Sequence, residues 1–178
     1  MPTLNRKEVI DPAEMRKLMG LLRQKDGSTR KKARLALERI GAPAEPFLTE
    51  ALSDRREYVR WEAVRALADI REPASASALV RALMDDSFDV SWVAADGLIR
   101  LKSAALIPLL HAITEHFDSA SFRRGAQHVL EALDEEGLLS PPLARVLAAL
   151  RNVAAEFAVL SAADEALSYL KKGPALTR

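Results

Sequence analysis

Histidine is the side chain here best suited to acid–base or metal chemistry, and the chain has three. His111 and His116 are five residues apart, which on a helix places them on different faces, whereas helical metal ligands stand three or four apart. His128 has no such neighbour. We therefore predict surface or structurally satisfied histidines, no catalytic residue and no metal site.

Other signatures of chemistry are missing from the sequence. There is no cysteine, which excludes a disulfide framework, a thiolate zinc site, an iron–sulfur cluster and a cysteine nucleophile. The seven glycines are scattered and form no phosphate-binding loop. These observations predict a protein without a cofactor that acts by binding rather than by catalysis.

Charge is distributed unevenly along the chain. Residues 1–39 hold 11 Lys or Arg against 5 Asp or Glu, and the remainder holds 15 against 20, for a net charge of +1. This balance argues against a dedicated nucleic-acid binder but leaves a contact through Lys31, Lys32 and Arg39 as an alternative. No apolar run suits a signal peptide or a membrane span, so we expect a cytoplasmic protein with no membrane partner.

An internal repeat of about 31 residues organises the sequence. The segments 29–40, 59–70, 90–101 and 122–133 each place apolar or small side chains at i, i+4, i+7, i+8 and i+11, the stripe of an amphipathic helix. One small residue recurs where neighbouring helices must approach, at Ala33, Ala63, Ala94 and Ala126. Between these segments lies a second set of helices, which carry Pro46, Ser77, Pro108 or Pro141 near their first turns. The unit is predicted to be a helix pair that buries its stripes by stacking on its neighbours.

Both ends of the array carry capping signals. Asp11-Pro12 with Glu14 predicts a helix start, Ser140-Pro141 predicts a helix to about residue 160, and Ser161 predicts a further helix that Gly173-Pro174 ends. The expected organisation is one solenoid with loose tails. Its bounds are 1–10 tail, 11–25 cap, 26–53, 54–85, 86–117 and 118–150 repeats, 151–172 C-terminal cap, and 173–178 tail, with 11–172 as the single domain.

The repeated Val59-Arg60-x-x-Ala63-x-x-Ala66-Leu67 pattern resembles the HEAT-like repeats of the phycobilisome-lyase type over about residues 12–150. The resemblance implies an all-α, right-handed α-α superhelix of the ARM type, with four helix-pair repeats and terminal capping helices. It also implies that Arg30, Arg60 and Arg123 form an inter-repeat ladder with loop acids. Those acids are Asp26, Asp54, Asp85 and Asp118, and Ser91 leaves the ladder incomplete.

The same resemblance places the helix beginning at Val59 on the concave face of the solenoid. By register, both tryptophans then occupy one groove position in adjacent repeats, 31 residues apart. Aromatic and arginine side chains are enriched at binding hot spots, so we predict a protein or peptide partner in this groove. The predicted partner-binding residues are Tyr58, Trp61, Glu62, Arg65, Phe88, Trp92, Asp96, Arg100, Arg124 and His128.

Several alternatives remain open at this point. The indoles could fill gaps between helices, and the charges could pair across helices, Arg65 with Asp96 and Asp69 with Arg39 or Arg100. The resemblance also admits a bilin-lyase-like or chaperone-like role, in which Trp61, Trp92 and Arg65 hold an open-chain tetrapyrrole. Trp92-x-x-x-Asp96 with Arg124 is superficially similar to alkylpurine DNA glycosylases of HEAT-like fold, but basic and acidic groove residues are nearly balanced.

Overall fold

The computed structural model of the chain describes residues 11–152 and 156–172, and within these ranges the secondary structure is entirely helical. The α-helices are α1 Pro12–Leu22, α2 Gly27–Ile40, α3 Glu45–Ala51, α4 Glu57–Ile70, α5 Ala76–Ala82, α6 Phe88–Leu101, α7 Ser103–His116, α8 Ala120–Glu135, α9 Pro141–Leu150 and α10 Glu156–Lys172. Short 3-10 turns at Ala42–Ala44 and Pro73–Ser75 lead into α3 and α5. The prediction of an all-α fold is confirmed.

The helices form two layers. In the front layer, defined as α2, α4, α6 and α8, each helix packs against the next. The rear layer contains α1, α3, α5 and α7, which cover the inner faces of the front helices. The repeated stripe explains this arrangement, because Val59, Ala63 and Leu67 of α4 are fully buried and so are their counterparts in α6 and α8. The recurring alanines, including Ala94 and Ala126 at 0% exposure, let the front helices approach closely.

Gly97 lies at a close contact between α6 and its neighbours in both layers. A Cβ added to Gly97 of α6 would come within 3.1 Å of the Ala68 Cβ of α4 and of a Leu79 methyl carbon of α5. We predict that Gly97→Ala lowers the free energy of unfolding by about 1 kcal/mol, because this crowding outweighs the better helix propensity of alanine. Gly20→Ala is the matched control, since nothing lies within 4 Å of its added Cβ, and it should stabilise by about 0.5 kcal/mol. Chemical denaturation measures both, and a stabilised Gly97→Ala variant would contradict the packing described here.

The predicted helix starts are confirmed at the N-terminal end and need correction further along. The Asp11 carboxylate accepts a hydrogen bond from the Ala13 backbone N–H at 2.9 Å, and Pro12 is the first residue of α1. Pro46 and Pro141 stand in first turns as expected. Pro108 instead lies inside α7, because this helix begins at Ser103 without a preceding 3-10 turn.

The C-terminal helices also differ from the prediction. One helix was expected from Pro141 to about residue 160, but α9 ends at Leu150 and Ser161 lies inside α10. The final pair is inverted, since α10 packs along α7 of the rear layer while α9 packs against α8 and α10. This packing of α10 is possible because the helix has a buried apolar stripe, formed by Val159, Ala163 and Leu167. The predicted stop at Gly173-Pro174 and the tails 1–10 and 173–178 lie outside the described residues.

Candidate functional site

One arginine position recurs at the start of the front helices. The Arg60 guanidinium donates to both carboxylate oxygens of Asp85, in the loop that leads to the next front helix, at 2.7 and 2.9 Å, and to the Asp54 backbone carbonyl at 3.1 Å. The hydrogen bonds to Asp85 raise the pKa of Arg60. This pair is the inter-repeat ladder that the family resemblance implies.

The ladder is shorter than expected. Asp26 is the N-cap of α2 and accepts from the Thr29 N–H at 2.7 Å, so it is not a ladder acid. Asp118 lies next to α8's N-cap Ser119, and Arg123 donates to the Phe117 and Asp118 backbone carbonyls rather than to a carboxylate. Asp54 accepts from Arg56 and Arg23, and the Arg56 bond is the main reason that the pKa of Asp54 is well below its ordinary value.

Charged side chains of α2 and α4 form a buried network. Glu62, expected in the groove, is only 4% exposed and accepts from Arg34 Nε at 2.9 Å. Arg34 also pairs with Glu38, whose pKa is raised by burial against the opposing effect of that arginine. Glu62 is therefore a structural residue of the interface between α2 and α4, and only a small part of its side chain reaches the groove.

Asp69 is the centre of a second set of ion pairs on α4 and α6. It accepts from Arg100 at 2.7 Å and from Arg65 at 3.1 Å, and Arg100 also lies 2.8 Å from an Asp96 oxygen. The anticipated pairing of Asp69 with Arg100 is thus present, whereas Arg65 pairs within its own helix and not with Asp96. These predicted groove charges hold neighbouring helices together, although all of them remain partly exposed.

The two tryptophans, which share one register, have different surroundings. Trp61 is partly buried against the core, as is Tyr58, whose ring lies under the Arg30 guanidinium at 4.5 Å. Trp92 is 51% exposed. An open depression of about 410 Å³ borders Tyr58 and Trp61, and its other lining residues are Arg30, Glu57, Glu62 and Asp89. The gap-filling alternative therefore describes Trp61 but not Trp92.

Trp92 is the middle member of an exposed aromatic stack, defined as Phe88, Trp92 and His128. The Trp92 and His128 rings have centroids 4.6 Å apart and planes 18° apart, and Phe88 lies 5.9 Å from Trp92 on α6. Phe88 is 73% exposed. A histidine of α8 therefore extends an apolar surface that begins on α6, and water contacts much of it.

A cavity of about 270 Å³ lies beside this stack, between α6 and α8. The aromatic stack and the small residues Ala95 and Gly125 line it. Its remaining lining residues are Leu83, Asp85, Asp86, Ser91, Ser121 and Arg124. The cavity combines flat rings with charged groups of both signs, which suits an amphipathic side chain of a partner.

The remaining sequence candidates do not join this surface. His111 is exposed on α7, and His116 lies edge-on to the Phe122 ring. Lys31, Lys32 and Arg39 are exposed on α2, away from the aromatic stack. In the described ranges, no three His, Asp or Glu side chains come together in a group that could bind a metal ion. None of the helices described has the length and apolar character needed to cross a membrane.

The two-layer stack of helix pairs defines the chain as an all-α solenoid of helical repeats. Residues 15–98 match the family described as HEAT repeats. No curated protein matches the sequence.

A solved structure shows a similar fold. The chain is similar to a chain in the structure of the complex of CpcE and CpcF of phycocyanin lyase from Nostoc sp. PCC7120, with 25% identity, a TM-score of 0.56, and coverage of 85% of this chain and 99% of that one. It is also similar to an engineered protein at 21% identity and a TM-score of 0.41, over 87% of this chain and 78% of that one.

Three features of this surface were not recognised from the sequence. Arg34 stands at a repeat position where α4 and α6 carry Val64 and Ala95, so nothing marked it as the partner of Glu62. His128 was placed in the groove, but its stacking on Trp92 depends on the spacing between α6 and α8. The cavity is lined by Ser91, and the incomplete ladder at Ser91 was its one sequence signal.

Proposed function

We propose that the protein is a non-catalytic binding scaffold that captures a segment of another protein on the exposed face of α4, α6 and α8. The observation that carries this proposal is the Phe88–Trp92–His128 stack. Its rings are exposed to water instead of being packed into the nearby apolar core. Exposed aromatic clusters are typical of binding sites, because covering them removes a large apolar area from water.

The contrast between the two tryptophans supports the proposal. Trp61 shows that an indole at this register can pack partly against the core, yet Trp92 stays exposed beside a cavity. Ion pairs of Asp69 and Arg100 fix α4 relative to α6, so the surface is held rigid before a partner arrives. A preformed surface loses less conformational entropy on binding.

Site-specific photocross-linking tests this function. A benzoylphenylalanine at position 88 replaces one exposed aromatic ring by another, so folding should not change. Irradiation in the native host should then yield a discrete cross-linked protein. The matched control is the same substitution at Phe47, which is 41% exposed on α3 of the rear layer.

The expected result is a cross-linked species at position 88 that is absent at position 47 and competed by unlabelled native protein. Equal yields of the same species at both positions would contradict a specific front surface. No cross-linked protein at position 88, under conditions where the protein is folded and expressed, would also overturn the proposal.

The likeness to a phycocyanin lyase chain favours one second candidate, the binding of a bilin-type ligand in a lyase-like or chaperone-like role. Trp92 is available for such a ligand, but Trp61 packs on the core and Arg65 is paired with Asp69. Titration with phycocyanobilin tests it, since a red-shifted and sharpened absorption band that is lost in Trp92→Ala would favour a bilin ligand over a protein segment.

A further inference from the structure

Arginine makes the same hydrogen bond wherever it occupies the second position of the repeated front-helix segment. In three repeats its Nη1 donates to the backbone carbonyl six residues earlier: Arg30 to Gln24 at 3.1 Å, Arg60 to Asp54 at 3.1 Å, and Arg123 to Phe117 at 2.7 Å. Such bonds satisfy carbonyls in the loop before each helix. The guanidinium site is therefore built into the backbone geometry of the repeat.

Ser91 occupies this position in the third repeat. Its hydroxyl donates to the Phe88 carbonyl at 2.9 Å, inside its own helix, and is too short to replace a guanidinium. Asp85 is the residue six positions earlier, and both Asp85 and Ser91 line the 270 Å³ cavity. The cavity thus lies at the place where the other repeats hold an arginine side chain.

The cavity also offers the surroundings that this fold gives to its own arginines. Arg30 lies over the Tyr58 ring at 4.5 Å and Arg123 over the Phe117 ring at 5.1 Å, so two of the three guanidinium groups at this position rest on aromatic faces. The rings of Phe88 and Trp92 line the cavity.

The cavity lining includes one carboxylate without an ion pair among the described residues. Asp86 is exposed, lines the cavity and makes no ion pair with any residue that the structure describes. Asp85 is already paired with Arg60, so Asp86 is the carboxylate left to bind a ligand. Arg124 on the α8 side carries the opposite charge, which disfavours a run of basic side chains and suits a single one.

We propose that this cavity receives the guanidinium of one arginine from the bound protein segment, which takes the place that Ser91 leaves empty in the repeat. This inference rests on the proposed function and specifies the chemistry of the partner. A planar guanidinium can lie on the exposed Phe88 ring beside Trp92 while it donates to the Asp86 carboxylate, a combination that a lysine ammonium matches less well.

A small-molecule titration tests the inference without the partner. In a Trp61→Phe background, Trp92 is the single fluorescent indole and reports directly on the cavity wall. Acetyl-arginine amide should change its emission with a saturating curve. The neutral isostere acetyl-citrulline amide should bind at least about tenfold more weakly, because it cannot form the charge-assisted bond or the cation–π contact.

Two variants locate the site. Ser91→Arg supplies the missing guanidinium from within the chain, so it should abolish the arginine response and raise the melting temperature. Asp86→Asn keeps the shape and should weaken arginine amide at least about fivefold. Ser168→Arg adds the same charge on an exposed part of α10 and should leave binding unchanged.

Equal binding of the citrulline and arginine amides would overturn the inference, as would an arginine response that survives in both Ser91→Arg and Asp86→Asn. The proposed function fails separately. Suppose that a cross-linked partner depends on Trp92 but binds the Ser91→Arg variant and the native protein with equal affinity. That result would support the scaffold function and refute the arginine site.

Discussion

Trp92→Ala should weaken the affinity for the partner that is cross-linked at position 88 by about 30-fold or more, while the melting temperature stays within about 2 °C of the native value. The reason is that Trp92 is the centre of the exposed stack and touches both Phe88 and His128. Hot-spot aromatics of this kind contribute about 2 kcal/mol or more to binding. Surface substitutions change folding stability little. Isothermal titration calorimetry and thermal denaturation measure the two effects.

Trp61→Ala is the matched comparison, and it should behave in the opposite way. Trp61 packs partly against the core, so its loss should lower the free energy of unfolding by about 2 kcal/mol, less than the 3 to 5 kcal/mol typical of a fully buried tryptophan. Affinity measured below the unfolding transition should fall much less than in Trp92→Ala. If Trp61→Ala weakened binding as much as Trp92→Ala, the division of roles between the two indoles would be wrong.

The second large effect concerns the buried charges between α2 and α4. Glu62→Ala should lower the free energy of unfolding by about 3 kcal/mol, because Arg34 would lose its bond at 2.9 Å while only 9% exposed. This is the lower end of the range for breaking a buried pair, since Glu38 and Asp69 remain near Arg34. Urea denaturation measures the change.

A double substitution controls for the loss of packing. Arg34→Met with Glu62→Leu removes both charges and keeps an apolar volume, so it should recover most of the stability lost in Glu62→Ala. Glu57→Ala, five residues earlier on the exposed side of α4, removes only an exposed hydrogen bond from the Ser87 hydroxyl and should change stability by about 1 kcal/mol or less. A loss in Glu57→Ala equal to that in Glu62→Ala would contradict the buried assignment.

The repeat made most of the fold predictable. Residues such as Val59, Ala63 and Leu67 recur at helical spacing, and a stripe of that width can be buried only by stacking on equivalent helices. Asp11 and Pro12 marked the first helix correctly because capping chemistry is local. The register of Trp61 with Trp92 also followed from the repeat alone.

Features that depend on one particular neighbour were not predictable in the same way. Glu62 has the register of an exposed residue, and it is buried because Arg34 of the preceding repeat reaches it. Trp92 is 51% exposed beside a cavity that Ser91 helps to line. The position of α10 against α7 breaks the repeat rule, so extrapolating the period to Pro141 gave the wrong layer for α9.

The most direct test of the central claim is the photocross-linking yield at position 88, compared between the native chain and the Trp92→Ala variant at equal protein concentration. We expect a discrete cross-linked partner with Trp92 present and a loss of most of that species without it, while circular dichroism shows the same helical content in both. An undiminished yield in Trp92→Ala would contradict the claim that the exposed face of α4, α6 and α8 binds a protein through its aromatic stack.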